Sequence, residues 1–126
     1  MKVVVITILI LVVFFIASLY FTYYLNQSAE TFIDMIEKLD KSITQENWEE
    51  AQEHIERVMK EWDKTKKIWL GFLEHYEIDM IDIILARTQK YVTIEERSLA
   101  LGGVAELKLL VEHILDKQTL KLQNIL

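Results

Sequence analysis

Residues 3–25 read V-V-V-I-T-I-L-I-L-V-V-F-F-I-A-S-L-Y-F-T-Y-Y-L, 23 positions without a charge. At a rise of about 1.5 Å per residue, a helix of this length reaches roughly 34 Å, enough to cross the hydrocarbon core of a bilayer with some tilt. The run is longer than the apolar core of a signal peptide, and no clean small-x-small cleavage site follows it. The nearest candidate sites involve Ser18 and Ala29. The stretch therefore predicts an uncleaved transmembrane anchor over residues 1–27, with a separate domain over residues 28–126. Tyr20, Phe21, Tyr23 and Tyr24 crowd its far end, as expected of rings lying in the headgroup zone. Lys2 and the amino terminus are the positive groups before it, and the next is Lys38. The positive-inside rule then puts the amino terminus in the cytoplasm and residues 28–126 outside, in a single-pass protein of the cell membrane.

The rest of the 126 residues is built differently. There is no proline, and the three glycines are Gly71, Gly102 and Gly103. So few turn formers argue for a few long helices. The absence of cysteine excludes a disulfide framework, a thiolate metal site and a cysteine nucleophile. From Asn26 to Asp63 there are eleven acidic and four basic residues, and from Lys64 to Leu126 nine of each. The half next to the apolar run is thus acidic, and a surface of that kind is repelled by anionic lipid and by nucleic acid. No basic patch interleaved with aromatics points to a nucleic-acid partner.

Hydrophobic periodicity places four helices. The first covers about 28–43, on Phe32, Ile36, Leu39 and Ile43, and is compatible with direct continuation from the anchor. Thr44 and Asn47 offer capping side chains at its end. The second covers about 45–74. Trp48, Ala51, Ile55, Val58, Trp62, Thr65, Trp69 and Phe72 follow a 3-4 spacing that marks one core-facing stripe, with Trp48, Trp62 and Trp69 as core anchors. Its first half carries Glu46, Glu49, Glu50, Glu53 and Glu56 and its second half Arg57, Lys60, Lys64, Lys66 and Lys67, an order that complements the helix dipole. The all-apolar run Ile68–Leu73 predicts coverage on several sides and a chain reversal just beyond.

A third helix covers about 78–92. Thr93-Ile94-Glu95-Glu96 then has the pattern of a capping box opening the fourth, over about 95–116. The main face of that helix is Leu99, Ala100, Gly103, Val104, Leu107, Leu110, Val111 and Ile114. Glycine inside a helix costs about 1 kcal/mol against alanine, so Gly103 on the apolar face predicts close approach of a neighbouring helix. Leu101, Ala105 and Leu109 form a thinner apolar stripe on the back. The apolar tail, residues 117–126, either folds back over a groove on the bundle or leaves an apolar surface free for a partner. The fold class is all-α: one transmembrane helix followed by an antiparallel three- to four-helix bundle.

Trp48 with Ala51, then Trp62 and Trp69, the H-x-E-I-D run at His75 to Asp79, the A-E-L-K-L-L run at Ala105 to Leu110 and the terminal N-I-L at Asn124 to Leu126 occur together in this order. In this the chain resembles an uncharacterised bacterial family, domain of unknown function 4363, and an N-terminal apolar segment is also typical of that family. The resemblance implies a small membrane-anchored helical protein and implies no activity.

Candidate chemistry is sparse. His75, Asp79 and Asp82 fall at i, i+4 and i+7, so on one continuous helix they would share a face able to hold a divalent cation. The plainer reading is a charged first turn of the third helix. The histidines each follow a glutamate directly, as in Glu53-His54, and neighbours on a helix point about 100° apart, so these pairs are not chelates. The Glu-x-x-His signature of a helical di-iron site is absent. Arg87 is expected to form an ion pair, with Glu106 or Asp79. No Ser-His-Asp order, glycine-rich phosphate loop or zinc motif occurs, so neither an enzyme nor a bound cofactor is expected. The expectation is a non-catalytic accessory protein, held to lipid by its anchor and binding another membrane or envelope protein through Leu101, Ala105 and Leu109. Self-association into a homo-oligomer is compatible with it. The alternative is a ligand- or metal-sensing domain centred on His75–Asp82 or on a tryptophan-lined cavity.

Overall fold

The computed structural model describes the backbone of residues 1–71 and 73–125, and the side chains among them up to Lys117. Four helices follow one another: α1 (Lys2–Thr44), α2 (Trp48–Trp69), α3 (His75–Thr93) and α4 (Arg97–Ile125). They pack as a ring in which α1 meets α2 and α4, and α3 meets α2 and α4. Short connections make chain neighbours antiparallel, which is the up-and-down arrangement of a four-helix bundle. The fold is all-α, and the first bundle helix and the apolar run are one helix without a break at residues 27–28.

α1 has two halves that differ in company. No residue before Leu25 is buried. From there Leu25, Ala29, Phe32, Ile36, Leu39, Ser42 and Ile43 line the core at 3-4 spacing. The apolar stretch therefore projects from one end of the bundle, here called the near end. α1 is the one described helix long and apolar enough to cross a membrane. α2 contributes Ala51, Ile55, Val58, Trp62, Thr65 and Trp69 to the core, the central part of the predicted stripe, whose Phe72 lies outside the described residues. Trp48 at its start is half-buried against the rim. Phe32 meets Trp62 at a ring-centroid distance of 5.9 Å and 64° between planes, and Trp62 meets Trp69 at 5.9 Å and 85°. Each edge-to-face pair adds about 1 kcal/mol to the burial of its rings. The Phe32–Trp62 contact also sets the level of α1 against α2. Seven residues toward the near end on each lie Leu25 and Trp69, both in the core.

This antiparallel return corrects the expectation of an acidic half beside the apolar run. α1 carries the chain away from that run, so Glu46, Glu49 and Glu50 lie at the far end, beside the α3–α4 turn with Glu95 and Glu96. Arg97 ties the two far-end turns together by donating to the Thr44 carbonyl at 3.4 Å. Glu61 and Asp63 return to the near end in company with Lys60, Lys64, Lys66 and Lys67. Nearness in sequence was not nearness in space.

Two helices end within a residue of the expected places but close in a way the spacing did not predict. α1 stops at Thr44 and α3 at Thr93, and each is followed by a residue in the left-handed region, Glu46 at φ 55° and Glu95 at φ 58°. The Glu46 N–H donates to Ile43 O and the Asn47 N–H to Ser42 O, both at 3.0 Å. The Glu95 N–H donates to Val92 O at 3.1 Å and the Glu96 N–H to Tyr91 O at 2.9 Å. This is the Schellman closure, in which the orphan carbonyls of a helix end are met by the two residues beyond it. The T-x-x-E pattern at Thr93 consequently does not form a capping box. Thr93 ends α3, and its hydroxyl donates back to Gln89 O at 2.9 Å. Asn47 does cap α2, accepting from the Glu50 N–H at 3.3 Å and donating to the Glu50 carboxylate at 2.9 Å.

Gly103 has the role its position predicted. It is buried, and a Cβ built on it would collide with the Thr88 side chain of α3. Thr88 is itself fully buried, and its hydroxyl donates to Ile84 O at 2.7 Å, so it has no room to give way. Gly102, one residue earlier, faces open space. The main face of α4 is otherwise Ala100, Val104, Leu107, Val111 and Ile114. Leu99, assigned to that face from the sequence, is 51% exposed, because the face is centred on Leu107 and Leu99 lies about 80° to one side of it. α4 also continues as helix to Ile125. A segment in line with Leu101–Leu109 cannot fold back over it, which removes the expectation that residues 117–126 cover that stripe. The side chains beyond Lys117 lie outside the described residues.

Two outcomes follow from these contacts. Gly103→Ala should cost about 1–3 kcal/mol by overpacking, whereas Gly102→Ala should be neutral or stabilise by a few tenths to about 1 kcal/mol; urea titration of both variants checks this. Glu95→Gly, relieving a left-handed non-glycine residue, should stabilise by about 1 kcal/mol and raise the melting temperature.

Candidate functional site

The predicted cation face does not assemble. Asp82 points to α2, where its carboxylate accepts from Trp62 Nε1 at 2.7 Å and from Lys66 Nζ at 3.2 Å. His75 and Asp79 remain exposed at the start of α3. Among the described residues no group of three or more histidine, aspartate or glutamate side chains is placed to hold a metal ion. Asp82 acts instead as a polar clasp between α2 and α3, giving the indole N–H of an almost fully buried tryptophan its acceptor. Trp62 and Trp69 pack on each other rather than around a cavity.

A second clasp joins α4 to the start of α3. Lys117 Nζ donates to Glu77 at 3.1 Å and to Glu74 at 3.3 Å. Glu77 is buried and Glu74 exposed. Hydrogen bonds to Glu77 first and Glu74 second hold the Lys117 ammonium above the usual lysine range. Lys108 is raised likewise by its bond to Glu37 on α1, 3.2 Å away. A raised cation is stabilising at all pH values below its ordinary range and loses that effect only as pH climbs through the raised value. Both clasps are therefore intact at neutral pH.

What remains unexplained by the core is an apolar face on the outside of α3 and α4. Between these helices lies an open groove of about 380 Å³ lined by Met80, Ile84, Glu106, Leu109, Leu110 and His113. Leu109 is 68% exposed at its rim, and Ile83, three residues after Met80 on α3, is 52% exposed. Tyr76, four residues before Met80, is 70% exposed. Tyr76, Met80 and Ile83 thus form one stripe along the outer side of α3, flanking the groove at Met80, with Tyr76 toward the near end and Ile83 toward the far end. The stripe ends at Arg87, which pairs with Glu106 across the groove at 3.9 Å, the partner expected of it. The position of Leu109 follows from helix geometry. Residues four apart advance about 40° around a helix, so the Leu101–Ala105–Leu109 row drifts from the core edge outward. Leu101 is partly buried against the core. Ala105 is exposed and lines a second groove, on the α1 side, with Lys108 and Glu112. Leu109 stands on the ridge between the two grooves.

The sequence reading singled out Leu109 but missed Tyr76, Met80 and Ile83. Their 4-3 spacing was a usable signal. It was masked because Ile78, Ile81, Ile84 and Leu85 already supplied an apolar face, so α3 is apolar on more than one side.

These features can now be set against known proteins. A family model described as Domain of unknown function (DUF4363) matches residues 19–125. The chain belongs to this family. The match takes in the whole bundle and the aromatic end of the apolar run, and omits residues 1–18, so the DUF4363 unit is the bundle together with the level at which α1 leaves it. No curated protein and no solved structure matches the chain.

The Asp82 clasp yields a measurable outcome. Asp82→Ala strands the Trp62 indole N–H, which should cost about 1–3 kcal/mol. Asp82→Asn keeps an acceptor and should cost less. Chemical denaturation of both variants reads the difference, and equal losses would mean that the charge on Lys66, not the indole bond, decides.

Proposed function

We propose that this DUF4363 protein is a membrane-tethered, non-catalytic accessory protein whose α3–α4 face binds another membrane or envelope protein. The observation that carries the reading is the coexistence, in one molecule, of two apolar surfaces that the bundle leaves largely exposed. One is the stretch of α1 before Leu25, whose length and lack of charge suit a bilayer. The other is the Tyr76–Met80–Ile83 and Leu109–Leu110 face, too short and too interrupted by Glu106, Arg87 and His113 to lie in hydrocarbon. Half-exposed apolar side chains around a groove with a charged rim suit a protein surface, and a helix laid in such a groove would take Leu109 and Ile83 as its flanking contacts. The lone Lys2 ahead of α1 favours a cytoplasmic amino terminus and an outer bundle.

The test is in-cell photocrosslinking from position 109 in the full chain, followed by mass spectrometry, with position 98 at the far end as reference. A discrete adduct with one membrane or envelope protein is expected from 109 and not from 98. Ile83→Lys should abolish it while shifting stability by no more than about 0.5 kcal/mol, as befits an exposed site. Equal crosslinking from 98 and 109, or an adduct indifferent to Ile83→Lys, would remove the docking role. Leu101→Lys is unsuited to this purpose, since Leu101 packs on the core.

A further inference from the structure

We infer that the α2–α3 turn is a second lipid contact, seated at the headgroup boundary of the bilayer that α1 crosses; the inference rests on the tethered reading above. The level of the turn follows from the packing. Counting seven residues toward the near end from the Phe32–Trp62 contact on the two antiparallel helices brings Leu25 and Trp69, both in the core, to about the same height. The turn begins at Leu70, so it stands beside Tyr23 and Tyr24 of α1. If the twenty residues from Val3 to Thr22 fill the hydrocarbon, at about 1.5 Å each, then Tyr23 and everything level with it meet the headgroups. The bundle cannot stand clear of that boundary, because α1 has no break that would provide a spacer.

The turn is furnished for such a place. Ile68 is 41% and Leu70 42% exposed, where a turn at the end of a water-bathed bundle would carry polar side chains. Its backbone is closed without polar side chains, the Leu70 N–H donating to Lys66 O at 2.9 Å and the Leu73 N–H to Trp69 O at 2.8 Å. Gly71 is exposed, and a side chain there would meet nothing closer than Ile68 O at 3.9 Å. Lys67 stands about one helical turn back and Lys64 nearly two, and neither has an ion pair among the described residues, so their ammonium groups are free to reach toward phosphate. On the other side of the turn Glu74 is met by Lys117. Charge at this end is mixed, with Asp63 and Asp79 also exposed, so apolar contact at the boundary, not net attraction to anionic lipid, is the driving term. The tyrosines at the same height are exposed as well, Tyr23 at 63% and Tyr24 at 40%, and aromatic residues of this kind favour the interface.

The absence of native cysteine makes the test direct. Single variants Leu70→Cys, Ile68→Cys, Val12→Cys and Ser98→Cys of the full chain are labelled with a nitroxide and reconstituted in phosphatidylcholine vesicles. Collision rates with oxygen, which partitions into lipid, and with a water-soluble nickel chelate are read by electron paramagnetic resonance. Val12 should favour oxygen and Ser98 nickel. Leu70 and Ile68 should show nickel access several-fold below that of Ser98, with raised oxygen access. A Val12 label in lipid with Leu70 and Ile68 as open to nickel as Ser98 would overturn the turn's contact and leave the anchor standing. A Val12 label open to nickel would overturn both. Low access of both reagents at Leu70 and Ile68 would mean that protein, not lipid, covers the turn, and would overturn the inference too.

Discussion

The backbone hydrogen bonding of α1 runs without interruption from Lys2 to Thr44, and the remaining structure is arranged around that continuity. Proline is absent from the chain and no glycine falls in this helix, so nothing in it favours a kink. The same rod is a core element over its second half and bare apolar surface over its first. α2 and α4 pack against the second half, α3 closes the ring between them, and the Phe32–Trp62–Trp69 edge-to-face series fixes how high α2 stands on α1. The levels of the turns, the clasp at Asp82 and the near-end position of Leu70 all descend from that one register.

Polar groups then refine what apolar packing sets. Asp82 answers the indole of Trp62, Lys117 answers the buried Glu77, and Arg97 answers the last carbonyl of α1. Each joins two helices that already touch. Such pairs are worth little on the surface and more where one partner is shielded, as Trp62 and Glu77 are. Their effect is to choose one rotation and height for each helix among several that greasy surfaces alone would accept.

Much of this was legible in the residues. The 3-4 stripe of α2 and the demand of Gly103 for a close neighbour are properties of one helix at a time, and periodicity reports those well. The errors lie where the answer depends on where a neighbour sits. The acidic stretch after the anchor was assigned to the wrong end because antiparallel return moves its glutamates away. Leu99 and Leu101 were placed by spacing within α4, while the centre of its buried face is decided by α1 and α3. Thr93 carried a start signal, yet the helix before it ran on and used Glu95 in the left-handed region to close. The outer face of α3 was hidden by an excess of isoleucine that left two faces apolar. In the candidate face, Leu109 could be found from its own helix, whereas the Tyr76, Met80 and Ile83 half emerged only when α4 was laid beside it.

The unbroken α1 also has a mechanical meaning. A helix of 43 residues is about 65 Å long, and with no proline or glycine along it the bundle inherits every rotation of the half before Leu25. On the proposed membrane-spanning reading, a tilt of about 20° would carry the far-end turns sideways by roughly 20 Å relative to the start of the helix. The molecule is a lever with one stiff arm, and anything bound to the proposed α3–α4 face would move with it.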